Sequence, residues 1–173
     1  MVPERAPSPR ELGTALLLLA RTRGELVARF RGTSMEPTVP DGAELLLRHR
    51  EQPAPGEIAA FVSQGRVVLH RVEEVSARHG SLLTRGDALW LPDPPLRDLQ
   101  AVVGVVAGVR DGNGFAAPRA APGGVLRRAV LLPFRAAHRA SPAATTLALA
   151  ALRLPGRAAR AALAMLQHLA RRG

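Results

Sequence analysis

Arg31-Gly-Thr-Ser-Met-Glu-Pro-Thr38, running on into Val39-Pro-Asp-Gly42, is the stretch on which the reading of this chain turns. A serine set between a glycine-containing turn and a Met-x-Pro segment sits where the backbone bends sharply and a hydroxyl can be presented. Downstream, residues 44–48, 57–62, 66–75, 81–84 and 101–110 are short runs rich in Val and Leu. They are parted by Pro40-Asp-Gly42, Pro53-Ala-Pro-Gly56, Gln64-Gly65, His79-Gly80 and a proline cluster at 92–95. Closely spaced strands punctuated in this way predict a mainly β fold, a compact coiled sheet or barrel, with Gln64-Gly65 as a tight hairpin.

Upstream, residues 9–30 predict an amphipathic helix. Leu12, Leu16, Leu19, Leu26 and Val27 recur at helical spacing, with Ser8 as cap and Pro9 in the first turn. Beyond Asp111-Gly-Asn-Gly114 the composition changes. Residues 118–124 read as a linker, and 125–139 and 147–172 as basic, Ala/Leu-rich helices interrupted by Pro133 and by Pro155-Gly156. The chain divides accordingly into a leader and helix (1–30), a β domain (31–114), and a linker with a basic helical tail (115–173).

Composition narrows the chemistry. A chain of 173 residues holds one domain with a real core plus appendages. Aromatics are only 3%, so that core is built from Val, Leu, Ala and Ile. Without cysteine there is no disulfide, thiolate metal site or thiol nucleophile. The formal net charge is +10 and every cation is an arginine, a balance that suits peripheral contact with an anionic membrane surface. With no tyrosine and one tryptophan there is little on which bases could stack, so nucleic acid is not an expected partner. No segment reaches the roughly 20 apolar residues of a bilayer span. The run Ala15-Leu-Leu-Leu-Leu-Ala20 is ended by Arg21 and Arg23, and lacks the cleavage site of a secretory signal. The expectation is a cytoplasmic protein, or one peripheral on the cytoplasmic membrane face.

Two more stretches carry chemistry: Val67-Val-Leu-His-Arg-Val72, a strand with a histidine amid apolar residues, and Thr84-Arg-Gly-Asp87, followed by Asp93. A serine hydroxyl is a poor nucleophile until a neighbouring base removes its proton. An imidazole, with a reference pKa of about 6.5, does this near neutrality, and a carboxylate behind it fixes the tautomer and stabilises the imidazolium. Taken singly, Ser34 is a turn serine, His70 a satisfied strand histidine and Asp87 a loop-capping carboxylate. His49, in Leu47-Arg-His-Arg50, reads as a surface residue at a strand end.

Together, and in this order, the segments resemble the type I signal peptidase and LexA-type serine peptidase superfamily over roughly residues 30–110. Gly32-Thr-Ser-Met-Glu-Pro37 is similar to the nucleophile box, and Asp41-Gly42 to the Asp-Gly-Asp after it. Pro55-Gly-Glu-Ile58 is similar to the opening of the next strand, Leu69-His-Arg-Val72 to the general-base box, Arg85-Gly-Asp87 with Asp93 to the acidic box, and Val103-Gly-Val105 to the closing strand. The resemblance implies a serine endopeptidase that binds a peptide or protein substrate as an extended strand and cleaves after small side chains, without metal or cofactor. Bacterial signal peptidases and LexA-type repressors place lysine in the base box, where holding it neutral near pH 7 costs on the order of 4–5 kcal/mol. This chain has His70 there and no lysine anywhere, as in the archaeal and endoplasmic-reticulum branch.

The resemblance further implies Ser34 as nucleophile, His70 as base, Asp93 as its orienter and Asp87 as a brace acting through backbone contacts, with the two aspartates open to exchange. Gly32, Thr33, Met35 and Pro37 are implied at the substrate and oxyanion positions. Many signal peptidases carry serine where Gly32 stands, so oxyanion stabilisation falls to backbone N–H groups, chiefly that of Ser34 with Thr33 helping. Loss of one such donor costs about 10²–10³ in rate. An alternative is a catalytically weak or inactive peptide-binding module on the same scaffold, with the tail docking to a membrane or partner. A self-cleaving repressor would need a DNA-binding domain ahead of the serine, for which residues 1–30 are too short.

Overall fold

The computed structural model describes residues 8–123 and 125–152. Helix α1 (Pro9–Arg23) starts on a capping box: the Ser8 hydroxyl accepts from the Glu11 N–H at 3.3 Å and the Glu11 carboxylate from the Ser8 N–H at 2.6 Å. It stops seven residues short of the expected end. Gly24, at φ 74°, turns its N–H onto the Ala20 carbonyl and closes the helix. Leu26 and Val27, which suit a helical stripe, belong instead to strand β1 (Glu25–Arg29), whose residues alternate between exposed and half-buried. The sheet therefore begins inside the span expected as leader and helix.

Six further strands follow: β2 (Glu44–Arg48), β3 (Ile58–Ser63), β4 (Arg66–Ser76), β5 (Ser81–Arg85), β6 (Val102–Asp111) and β7 (Gly114–Ala116). All ladders are antiparallel, in the order β1-β2-β6-β3-β4-β5, with β7 pairing the end of β6. No ladder joins β1 to β5, so among the described residues hydrogen bonding does not close the sheet into the expected barrel. The β3–β4 turn at Gln64-Gly65 has both residues at positive φ, 51° and 74°, the backbone of a two-residue hairpin that matches strand twist.

Two helices complete the fold, which is mixed α/β rather than mainly β. Helix α2 (Val125–Ala140) runs unbroken through Pro133. That proline lies on the exposed face, where the carbonyl it leaves unpaired meets water. Helix α3 (Pro142–Ala151) starts five residues earlier than the sequence suggested, on a cap in which the Ser141 hydroxyl accepts from the Ala143 N–H. The continuation expected to 172, with its Arg and Leu residues, lies outside the described residues. No described helix is long and apolar enough to cross a membrane.

The sheet separates two apolar clusters. Met35, Val39, Leu45, Leu47, Ile58 and Leu69 belong to the larger, against which Leu16 and Leu17 of α1 pack. Ala59, Phe61, Val72, Leu82 and Val102 form the smaller. Helix α2 packs on β4 and α3 on α2. Arg135 of α2 reaches the buried Glu73 at 2.6 Å, and Glu73 also pairs with Arg85 of β5. His138 of α2 is fully buried, and burial holds its imidazole below the ordinary value near 6.5, opposed by its hydrogen bond to the Ser81 backbone.

Candidate active site

The loop after β1 is folded by its own backbone. Gly32 sits at φ 135°, a conformation closed to L side chains, and its N–H donates to Asp41 Oδ1 at 2.7 Å. The Glu36 N–H donates to the Thr33 carbonyl and the Val39 N–H to the Met35 carbonyl. Met35 and Val39 are wholly buried and pin the loop to the larger core. Between exposed Thr33 and buried Met35, Ser34 is half-buried.

His70 lies on β4 opposite Ala59 of β3. Its ring stands edge-on to Phe61, with centroids 6.5 Å apart. Asp93 is fixed by two bonds to Thr84 of β5: the Asp93 N–H donates to the Thr84 carbonyl at 2.8 Å, and the Thr84 hydroxyl to Asp93 Oδ2 at 2.7 Å. The same Oδ2 lies 2.5 Å from His70 Nδ1. An ionised carboxylate only accepts hydrogen bonds, so Nδ1 carries the proton and Nε2 is left as the basic nitrogen.

The position of that nitrogen is marked by Gly86. A methyl group built on Gly86 would lie 2.5 Å from the Ser34 carbonyl oxygen and 3.0 Å from His70 Nε2. Loop, imidazole and glycine thus converge on one point, and only glycine fits there. The Ser34 carbonyl accepts from the Ala88 N–H at 2.9 Å, which ties the serine loop to the turn that carries Gly86. The Ser34 hydroxyl itself makes no hydrogen bond to His70 or to any other described residue.

Asp87 is built differently. It is buried, with Arg71 Nε at 2.9 Å and Arg71 Nη2 at 2.7 Å on its two oxygens, and the Thr38 hydroxyl at 2.6 Å. Arg71 also donates to the Gly56 and Arg119 carbonyls. This buried charge pair has partners on every side, the condition under which such a pair is tolerated. Its carboxylate clasps β4 and the serine loop, while its backbone carbonyl accepts from Arg127 of α2.

Of the residues named from sequence, Ser34, His70 and Asp93 come to one place, while Asp87 stands beside them in its own clasp. The Gly32 N–H is occupied by Asp41, and the Met35 side chain lies in the core. Pro37 lines a separate cleft of about 190 Å³ with Thr38, Pro40 and Ala116. The Thr33 and Ser34 N–H groups have no acceptor among the described residues. His49 is half-buried, with Nδ1 3.0 Å from the Val103 carbonyl, rather than a surface residue.

Sequence reasoning missed Gly86, Thr84, Arg71 and Thr38. Only Gly86 had a signal, since a glycine between two charged residues after a strand invites the question of what approaches it. An apolar cleft of about 380 Å³ opens between Leu12 and Leu16 of α1, Ala28 of β1, Phe30 and Arg31 of the serine loop, and Val67 of β4. β1 is an edge strand, and residues 66–70 of β4 are laddered on the β3 side alone. Two open backbone edges therefore accompany the cleft.

A family model described as Peptidase S24-like matches residues 9–98, which takes in α1, the serine loop, β1 to β5, His70, Gly86, Asp87 and Asp93. No curated protein matches the chain.

Proposed function

The chain belongs to the Peptidase S24-like family, and on that premise we propose that it is a serine endopeptidase of the histidine type found in some signal peptidases. Ser34 attacks the scissile carbonyl while His70 Nε2 takes the hydroxyl proton. Asp93, held by Thr84, keeps Nδ1 protonated and stabilises the imidazolium. The unpaired N–H groups of Ser34 and Thr33 receive the developing oxyanion. The imidazolium then gives its proton to the leaving amine, and a water activated by the same nitrogen releases the acyl group. The substrate is a peptide or protein segment lying extended in the apolar cleft, pairing with the free edges of β1 and β4. In this reading the sheet and α1 form the catalytic unit, and α2 and α3 brace it.

One observation carries the reading: His70 is bonded to a carboxylate through Nδ1 and turns Nε2 toward the point where the Ser34 loop meets Gly86. Bonds of this kind are often long without substrate and tighten when it binds. The absence of a Ser34–His70 hydrogen bond also favours a second reading, a module that binds peptide strands without cutting them. Hydrolysis of an extended peptide library separates the two. The first reading expects Ser34→Ala and His70→Ala each to lower kcat/KM by about 10⁴-fold or more with circular dichroism unchanged. Undiminished cleavage by Ser34→Ala would refute it.

A further inference from the structure

The turn that carries Gly86 goes on into three consecutive exposed apolar residues: Leu89 at 40%, Trp90 at 56% and Leu91 at 44% exposure. Single exposed apolar side chains are ordinary, but a contiguous patch marks a binding surface. This patch is also held still. The Leu89 N–H donates to the Gly86 carbonyl at 2.9 Å, and the Leu89 carbonyl accepts from Arg85 Nη1 at 2.6 Å and from Arg127 Nη2 at 3.0 Å. Arg127 also donates to the Asp87 carbonyl, and its guanidinium lies 5.5 Å from the centre of the Trp90 ring. A surface already ordered before it meets a ligand forgoes much of the entropy that binding would otherwise cost. Arg127 belongs to α2, so part of the hold comes from an element beyond the matched residues 9–98.

The patch is continuous with the candidate active site. Leu89 Cδ1 lies 3.1 Å from the same Gly86 position that meets the Ser34 carbonyl and His70 Nε2. We infer that Leu89, Trp90 and Leu91 form a recognition rim that takes an apolar side chain of the peptide substrate close to the scissile bond, with Arg127 as the positioning residue that fixes it. This deepens the proteolytic reading and rests on it for the word substrate. A peptide is favoured over a lipid surface because the half-exposed Asp93 carboxylate lies two residues past Leu91 and would be carried toward the bilayer.

Trp90 is the only tryptophan, so its emission reports on the rim alone. The full chain carrying Ser34→Ala is titrated with short Ala/Gly/Ser peptides that bear one Leu at each position in turn. One or two placements shift Trp90 emission to the blue and bind about tenfold tighter than the parent peptide. In a Leu89→Ser/Leu91→Ser background that preference falls to about twofold or less, with circular dichroism unchanged. The inference is overturned if no placement alters emission, if emission is already blue-shifted before peptide is added, or if anionic vesicles alone produce the shift. The serine-bearing chain is assayed in parallel for cleavage of the same peptides. Cleavage with no leucine preference in binding overturns the rim and spares the enzyme. A leucine-dependent shift without cleavage overturns the enzyme and leaves the rim as a peptide-binding surface.

Discussion

Asp87 and Asp93 stand at the two ends of one short loop, yet their surroundings share almost nothing. Asp87 is sealed from solvent and both its oxygens are taken, by Arg71 and Thr38. Asp93 keeps 27% of its side chain exposed and directs one oxygen at both His70 and Thr84. The divergence starts on β4, where neighbouring side chains leave by opposite faces, sending His70 to one carboxylate and Arg71 to the other. A guanidinium is charged at any working pH, so its pair is a permanent clasp. An imidazole gains and loses a proton near neutrality, so its pair can serve a reaction. The partner, more than the carboxylate, decides whether an aspartate holds the fold or the chemistry.

That contrast can be broken by exchanging which property is lost. Asp93→Asn should lower kcat/KM by about 10⁴-fold, because the amide favours the wrong tautomer of His70. Its thermal stability should change by about 1 kcal/mol or less. Peptide hydrolysis and thermal denaturation on the same preparation check both. An equal loss of turnover per folded molecule in Asp87→Asn would erase the distinction. Asp87→Ala, in turn, strands a buried guanidinium and should cost about 3–5 kcal/mol in denaturant unfolding. Replacing the pair with Arg71→Met and Asp87→Leu together should recover much of that loss, since the unpaired charge goes with it.

The smallest effect lies in α2, on the clasp side of the contrast. Burial lowers the proton affinity of His138 in the folded state, so the unfolded chain binds the proton first as pH falls through about 6.5. Stability is therefore complete above that pH and declines as pH drops toward the folded-state value. His138→Leu should flatten the slope of stability between about pH 7.5 and 5.5. A slope unchanged in the variant would mean that other groups carry the acid sensitivity.

Much of this is legible in the sequence. The strands around His70 and the Gln64-Gly65 hairpin follow from runs of Val and Leu parted by turn residues, signals that act within a few residues. Strand β1 does not, because Leu26 and Val27 fit a helical stripe as well as a pleat, and a lone glycine such as Gly24 does not by itself mark the end of a helix. The burial of Met35 was hidden for a related reason: a motif shows which residues stand together, not which of them faces inward. Both aspartates were singled out, but their division of labour depends on Arg71 and Thr84, whose reach across strands no local pattern displays. The bracing by α2 is longer in range still, joining Arg127 and Arg135 to residues many positions earlier.

The central claim is that His70 activates Ser34 although no hydrogen bond joins them. Covalent labelling with a fluorophosphonate, located by peptide mass analysis, tests it most directly. The account predicts a single adduct on Ser34 that forms readily in the wild type and is lost in His70→Ala. A wild type that stays unlabelled, or a Ser34 adduct that forms as fast without His70, would contradict it.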